Sequence, residues 1–118
     1  MVRRADQATH GQLGVPGGFM EMGETWQEAA ARELYEETSA VVDANTIDHY
    51  WTVSTPDGVH VCVFGIAPMV TAASLPPFKP NSEVLERLIV KHPTPTAFKI
   101  HTDILDRFFA EKRSLSQT

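Results

Sequence analysis

Between Gly17 and Ala40 the chain reads GGFMEMGETWQEAAARELYEETSA, and this run limits the fold more than any other. Its second half carries the alanines, leucine and long charged side chains of a good helix former, with Thr25 or Glu24 suited to begin it. A helix is therefore expected over residues 24–38. On it, Glu33, Glu36 and Glu37 return to one face within an arc of about 100°. Each like-charged pair at such spacing costs a few tenths of a kcal/mol, so an unassisted helix gains nothing from the arrangement. A divalent cation reverses the sign. Hard carboxylate oxygens suit Mg²⁺ or Mn²⁺, which are held by one or two carboxylates together with substrate phosphates. Ala29 and Ala30, one turn earlier near the same face, leave room for an ion or a ligand.

The plain alternative is a solvated acidic face, and charge alone would favour it. What changes the balance is the company of the carboxylates: Gly17-Gly18 ahead of the helix, Glu24 at its start and Arg32 immediately before Glu33. Arg32 is expected to pair with Glu28 at i,i+4, worth ~0.3–0.5 kcal/mol if exposed, or to reach other acids and keep them placed.

The remainder bounds the class of protein. A chain of 118 residues, 42% hydrophobic and 21% charged, suits one globular domain spanning 1–118. Its formal charge of -5 argues against general nucleic-acid binding, which shows a basic patch or stripe. Cys62 is the only cysteine, which excludes an intrachain disulfide and fits a reducing, cytoplasmic setting. The apolar runs are too short to cross a bilayer, and MVRRADQATH lacks the apolar core of a signal peptide.

Downstream, IDHYWTVS (47–54) and VHVCVFGI (59–66) are rich in β-branched and aromatic residues around a PDG turn, and a hairpin is expected. VLERLIV (84–90) is short and ends in β-branched residues, which favours a strand. Ala97, His101, Ile104, Leu105 and Phe108 fall at helical intervals, with Thr96 as the expected N-cap of a closing amphipathic helix.

The spacing Gly18, Glu24, Arg32, Glu33, Leu34, Glu36, Glu37 resembles the signature of the Nudix hydrolases: Gly, five residues, Glu, seven residues, Arg-Glu, an aliphatic, any residue, Glu-Glu, any residue, Gly, an aliphatic. Pro16, Gly17, Glu21, Gly23 and the Ala29-Ala30 pair match the looser surroundings of that signature. Ser39 stands where the family has Gly, and Ala40 is smaller than its usual aliphatic. At a helix exit a left-handed backbone is often required, and a non-glycine residue there costs ~1 kcal/mol or more.

The resemblance implies an α+β fold, an αβα sandwich with a mixed β-sheet. It further implies metal-dependent hydrolysis of a nucleoside diphosphate linked to another moiety, releasing a nucleoside monophosphate. By the same resemblance Glu33, Glu36 and Glu37 hold metal, Glu33 also orients or deprotonates the water, Arg32 belongs to the catalytic set, and the carbonyl of Gly17 or Gly18 adds a ligand. Glu83 or Glu86 is a candidate for a further carboxylate, with ordinary surface charge an equal reading. Arg3 and Arg4 match a basic pair that meets substrate phosphate. One or more strands precede the equivalent of Met1 in the family, so the sheet is expected to be incomplete at its N-terminus, as in a fragment, a truncated product or half of an exchanged homodimer. ADP-ribose-like substrates are preferred over mutagenic nucleoside triphosphates. An impaired Nudix-like nucleotide-binding or regulatory module is the alternative from another class.

Overall fold

The computed structural model describes residues 1–116, the last two by backbone alone. They form two compact units, one built from residues 1–15 together with the chain from Pro80 onward, the other from Pro16–Lys79.

In the first unit, strand β1 (Val2–Arg4) is central, with β2 (Leu13–Gly14) on one side and β5 (Val84–Arg87) on the other, both antiparallel to it. Alternation sends Val2 inward, where it is 1% exposed, as is Val84 on β5. A register shift between Arg3 and Arg4 marks a bulge that re-aims the second arginine. Helix α2 (Lys99–Ser116) closes the unit and buries Ile104 and Phe109. The expected face stopped at Phe108, which is only half-buried; the apolar stripe runs one residue wider. Thr96 does not cap the helix, which begins three residues later. Its hydroxyl instead bonds Thr102 Oγ1 at 2.9 Å and accepts the Phe98 N–H at 3.3 Å, tightening the turn that leads in.

His101 sits on the inner side of this helix, and its Nδ1 accepts the Val15 N–H at 3.1 Å. That acceptor exists only while the imidazole is neutral. Burial, with the nearby Arg4 charge second, pushes its pKa down from 6.5 to about 4.

The second unit holds α1 (Trp26–Thr38) and the antiparallel hairpin of β3 (Asp48–Ser54) and β4 (Val61–Ile66). The hairpin forms as expected, with Gly58 in the left-handed region at φ 72° and the Asp57 carboxylate accepting the Val59 N–H at 3.0 Å. Pro56 belongs to this turn. Gly65 on β4 is required by packing: a Cβ there would lie 2.6 Å from Ile47 Cγ2 and 2.9 Å from Trp26 Cζ3. The fold is therefore α+β, and every strand pair among the described residues is antiparallel, where a mixed sheet was expected. A parallel pair needs a long crossover, whereas the tight links between β1 and β2 and between β3 and β4 enforce antiparallel pairing.

Helix α1 begins where expected. The Thr25 hydroxyl accepts the Glu28 N–H at 3.1 Å while the Glu28 carboxylate accepts the Thr25 N–H at 2.9 Å, a reciprocal cap. At the other end Ser39 is left-handed at φ 65°, the only non-glycine residue so placed among the described residues.

Two outcomes follow from these ends. Ser39→Gly should stabilise the fold by about 1 kcal/mol, raising Tm by roughly 4 °C in calorimetry; an unchanged or lowered Tm would contradict the strain. For His101, the folded pKa lies below the unfolded one, so the unfolded chain binds the extra proton and stability should fall as pH drops from 6.5 toward about 4. Urea unfolding across that window should show a shallower slope for His101→Gln, which keeps an acceptor and cannot titrate; parallel slopes would refute the assignment.

Candidate metal and hydrolysis site

Helix α1 carries Glu33, Glu36 and Glu37 within about one turn, and Arg32 is the group that organises the first two. Its guanidinium forks onto Glu24, with Nε 2.7 Å from Oε2 and Nη2 3.0 Å from Oε1. Nη1 donates to Glu33 Oε1 at 2.9 Å and lies 3.3 Å from Glu36 Oε2 and 3.7 Å from Glu21 Oε1. Nη2 also donates to the Phe19 carbonyl at 3.1 Å. One cation thus bridges four carboxylates and a loop carbonyl. Of the two arrangements expected for Arg32, the Glu28 pair is not formed and the reach to other acids is, because the Glu28 carboxylate is committed to the cap and Glu24 offers the fork a planar two-point partner.

The loop Gly17–Glu24 is folded onto this network. The Glu21 N–H donates to Glu24 Oε1 at 2.7 Å, and Gly23 turns the chain with φ 88°. The Arg32 hydrogen bond, with the Glu21 N–H second, holds the Glu24 carboxyl below its ordinary pKa. The guanidinium of Arg32 is correspondingly held above its own, by Glu24 most of all.

Glu37 is differently placed. It is 7% exposed, and its Oε2 accepts the Gly17 N–H at 2.7 Å, tying the start of the loop to the last turn of the helix. Gly18 lies against Glu33, and a Cβ at that position would run into the Glu33 carboxylate. Gly18 is thus explained by close approach of backbone to a carboxylate, whereas a Cβ at Gly17 would meet nothing within 4 Å. Glu36 is the outermost, its side chain half exposed.

The three carboxylates share a turn but end on different partners. Among the described residues, no group of three or more His, Cys, Asp or Glu is gathered as a metal cluster. The donor set nevertheless fits a hard divalent cation: only oxygen donors, four carboxylates around a single guanidinium, and a loop backbone close enough to add a neutral oxygen.

The other expected residues lie in the first unit. Arg3 pairs with Glu86, Nε to Oε2 2.8 Å, and donates from Nη1 to the Gly11 carbonyl at 2.9 Å. Arg4 donates from Nε to Thr9 Oγ1 at 2.6 Å and Asp6 Oδ1 at 3.2 Å, and its guanidinium carbon lies 4.9 Å above the Phe98 ring. Both arginines are therefore engaged within the unit, holding the β1–β2 loop and the approach to α2. Glu83 is exposed, with its backbone carbonyl accepting the Ala5 N–H at 3.0 Å. Thr25 caps the helix as one of its two expected starts; sequence reasoning missed the reciprocal bond from Glu28, although TWQE carried its signal, and the Glu24 fork, which no spacing rule on the helix could supply.

Fold and site together define an α+β protein whose acidic helix lies beneath a glycine loop. The family model described as NUDIX domain matches residues 1–99, and the chain belongs to the Nudix family. The chain is similar to the NUDIX hydrolase from Nitrosomonas europaea, whose crystal structure it matches with a TM-score of 0.79 at 32% identity, over 96% of this chain and 63% of that one. It is 35% identical over 57 residues to the ADP-ribose pyrophosphatase of Methanocaldococcus jannaschii, a match covering 48% of this chain and 32% of that relative. No helix among the described residues is long and apolar enough to cross a membrane.

Arg32→Lys keeps the charge and gives up the planar fork. It should lower Tm by a few degrees and make it more sensitive to added salt, because a single ammonium cannot hold Glu24, Glu33 and the Phe19 carbonyl together. A Tm equal to wild type at low and high salt would show that the fork does not organise the loop.

Proposed function

We propose that this chain is a pyrophosphohydrolase acting on a nucleoside diphosphate linked to another moiety, with ADP-ribose-like compounds as the preferred class, and that a divalent cation, Mg²⁺ before Mn²⁺, serves it. Members of the family generally use divalent metal ions. The observation that carries the reading is the approach of Gly17 and Gly18 to Glu37 and Glu33, which puts loop backbone beside the carboxylates of one helical turn.

Glu33, Glu36 and Glu37 would hold the cation, with a Gly18 carbonyl as the neutral donor. When bound, the cation neutralises pyrophosphate oxygens and lowers the pKa of water near it. Glu33 orients the attacking water and takes its proton; the water oxygen bonds to phosphorus, the bridging P–O bond breaks, and the leaving phosphate departs as an anion. Arg32 acts as a positioning residue, since its donors are spent on Glu24, Glu33 and Phe19. Arg3, Arg4 and Glu83 remain assigned to the substrate; Arg3 and Arg4 would meet phosphate by exchanging Glu86 and Asp6 for it.

The family match runs across both compact units, which supports reading 1–118 as a single domain. A homodimer and a cytoplasmic setting go with the same reading. Val61 and Val63, left exposed on β4, support the dimer, which sedimentation equilibrium would count as one copy or two.

The test is incubation with Mg²⁺ and a panel of ADP-ribose, NADH, diadenosine polyphosphates and nucleoside triphosphates. Nucleoside monophosphate should appear from an ADP-ribose-like member, and Glu36→Gln and Glu37→Gln should each slow it by at least about a hundredfold. Binding of a nucleotide without release of any product would favour a regulatory module. Variants as fast as wild type would remove the metal assignment.

A further inference from the structure

The first unit carries a concave feature that the hydrolytic reading does not use. Ile89, Val90, Phe108 and Phe109 line a hollow of about 550 Å³, and Lys91, Lys112 and Arg113 also line it. That volume falls in the range of small-ligand sites, which combine an apolar lining with a few charged groups. The two phenylalanines stand edge to face, 5.3 Å between ring centres at 77°. Ile89 is 61% exposed, although it lies beside these rings and not at a loop tip.

The cations are the second, independent observation. A chain with formal charge -5 places three positive side chains around one apolar floor. The helix dipole accounts for Lys112 and Arg113, which sit near the C-terminal end of α2. It does not account for Lys91, which comes from the segment after β5. Neither Lys91 nor Lys112 has an ion-pair or hydrogen-bond partner among the described residues. The nearest acid along the helix, Glu111, is paired with Arg107 at 3.2 Å. Lys91 and Lys112 are two like charges lining one hollow, and an anion between them would offset their repulsion.

We propose that this hollow binds a small organic anion with a flat, apolar body and a terminal phosphate or carboxylate. The body would lie on Phe108, Phe109 and Val90, and Lys91 and Lys112 would meet the charged group. The apolar floor separates such a ligand from inorganic phosphate, and the lysines separate it from a neutral ring compound. The site is distinct from the carboxylates of α1 and does not depend on how they are read.

The probes are 1-naphthyl phosphate and 1-naphthoate, followed by their own fluorescence with a chelator present, so that the acidic helix has no cation with which to hold an anion. Saturable binding is expected for at least one of them, and 1-naphthol and inorganic phosphate should bind at least about tenfold more weakly. Lys91→Glu with Lys112→Glu should weaken binding by about tenfold or more, while Lys99→Glu, at the far end of α2, should leave it unchanged. Both lysines are exposed, so the double variant should keep the wild-type circular dichroism; Ile89→Glu supplies a single exposed change that should act in the same direction. The proposal fails if neither naphthyl anion binds saturably, if 1-naphthol binds equally well, or if Lys99→Glu weakens binding as much as the double variant. It fails also if vesicles containing phosphatidylserine bind while the two probes do not.

Discussion

One guanidinium set among four carboxylates is the interaction on which the second unit depends. Without Arg32, the first turn of the loop and the middle of α1 would face each other with only negative charge. With it, Glu24 becomes a bracket from loop to helix, Glu33 is drawn back against Gly18, and the Phe19 carbonyl is pinned. An ammonium could supply the charge but not the directions, because the contacts use Nε and both Nη atoms of one plane. The backbone then follows the side chains. Gly18 is needed where it passes Glu33, and Gly23 where it turns back toward the helix.

Much of this was legible in the sequence because it is local. The start of α1 depends on Thr25 and Glu28, three residues apart, and the hairpin depends on Pro56, Asp57 and Gly58 between two β-branched runs. The strand expected over 84–90 forms only at Val84–Arg87, and the β-branched Ile89 and Val90 that favoured it lie beyond its end. What was not legible depends on contacts between segments far apart in the chain. Spacing on a helix left Arg32 a choice between Glu28 and other acids; its fork onto Glu24 requires the loop to come back over the helix. Arg3 and Glu86 are 83 residues apart, and their pairing follows from the register of β1 against β5. The face of α2 was read one residue too narrow, since periodicity locates the centre of an apolar stripe better than its margin.

Ser39 shows a different kind of limit. The sequence displayed a residue that does not suit its position in the signature, and the structure keeps the left-handed geometry all the same, with the Ser39 N–H donating to the Tyr35 carbonyl at 2.9 Å. The helix end is therefore fixed by what surrounds it. Thr38 is buried and its hydroxyl donates to the Leu34 carbonyl at 2.6 Å, while Glu37 is held by Gly17. Changing the register of this last turn to relieve Ser39 would draw Glu37 away from the loop. Strain of order 1 kcal/mol is smaller than the cost of leaving a buried carboxylate without its donor.

The same comparison of magnitudes bears on how a cation would enter. Glu33 and Glu36 both face Arg32, so on the proposed reading an incoming ion would compete with a guanidinium for both carboxylates. Their geometries differ in strength: Glu24 is bound at two points, whereas Glu33 and Glu36 share the single Nη1, at 2.9 and 3.3 Å. Losing the weaker contacts would leave the Glu24 fork and the Phe19 carbonyl in place, so the loop would keep its anchor while the carboxylates turned to the ion. Four acids against one guanidinium leave a net negative site throughout, which favours a doubly charged guest over a second singly charged one. On that reading Arg32 would be the resident counter-charge that lets Glu33 and Glu36 share one turn before a cation binds, while Glu37 stays tied to Gly17.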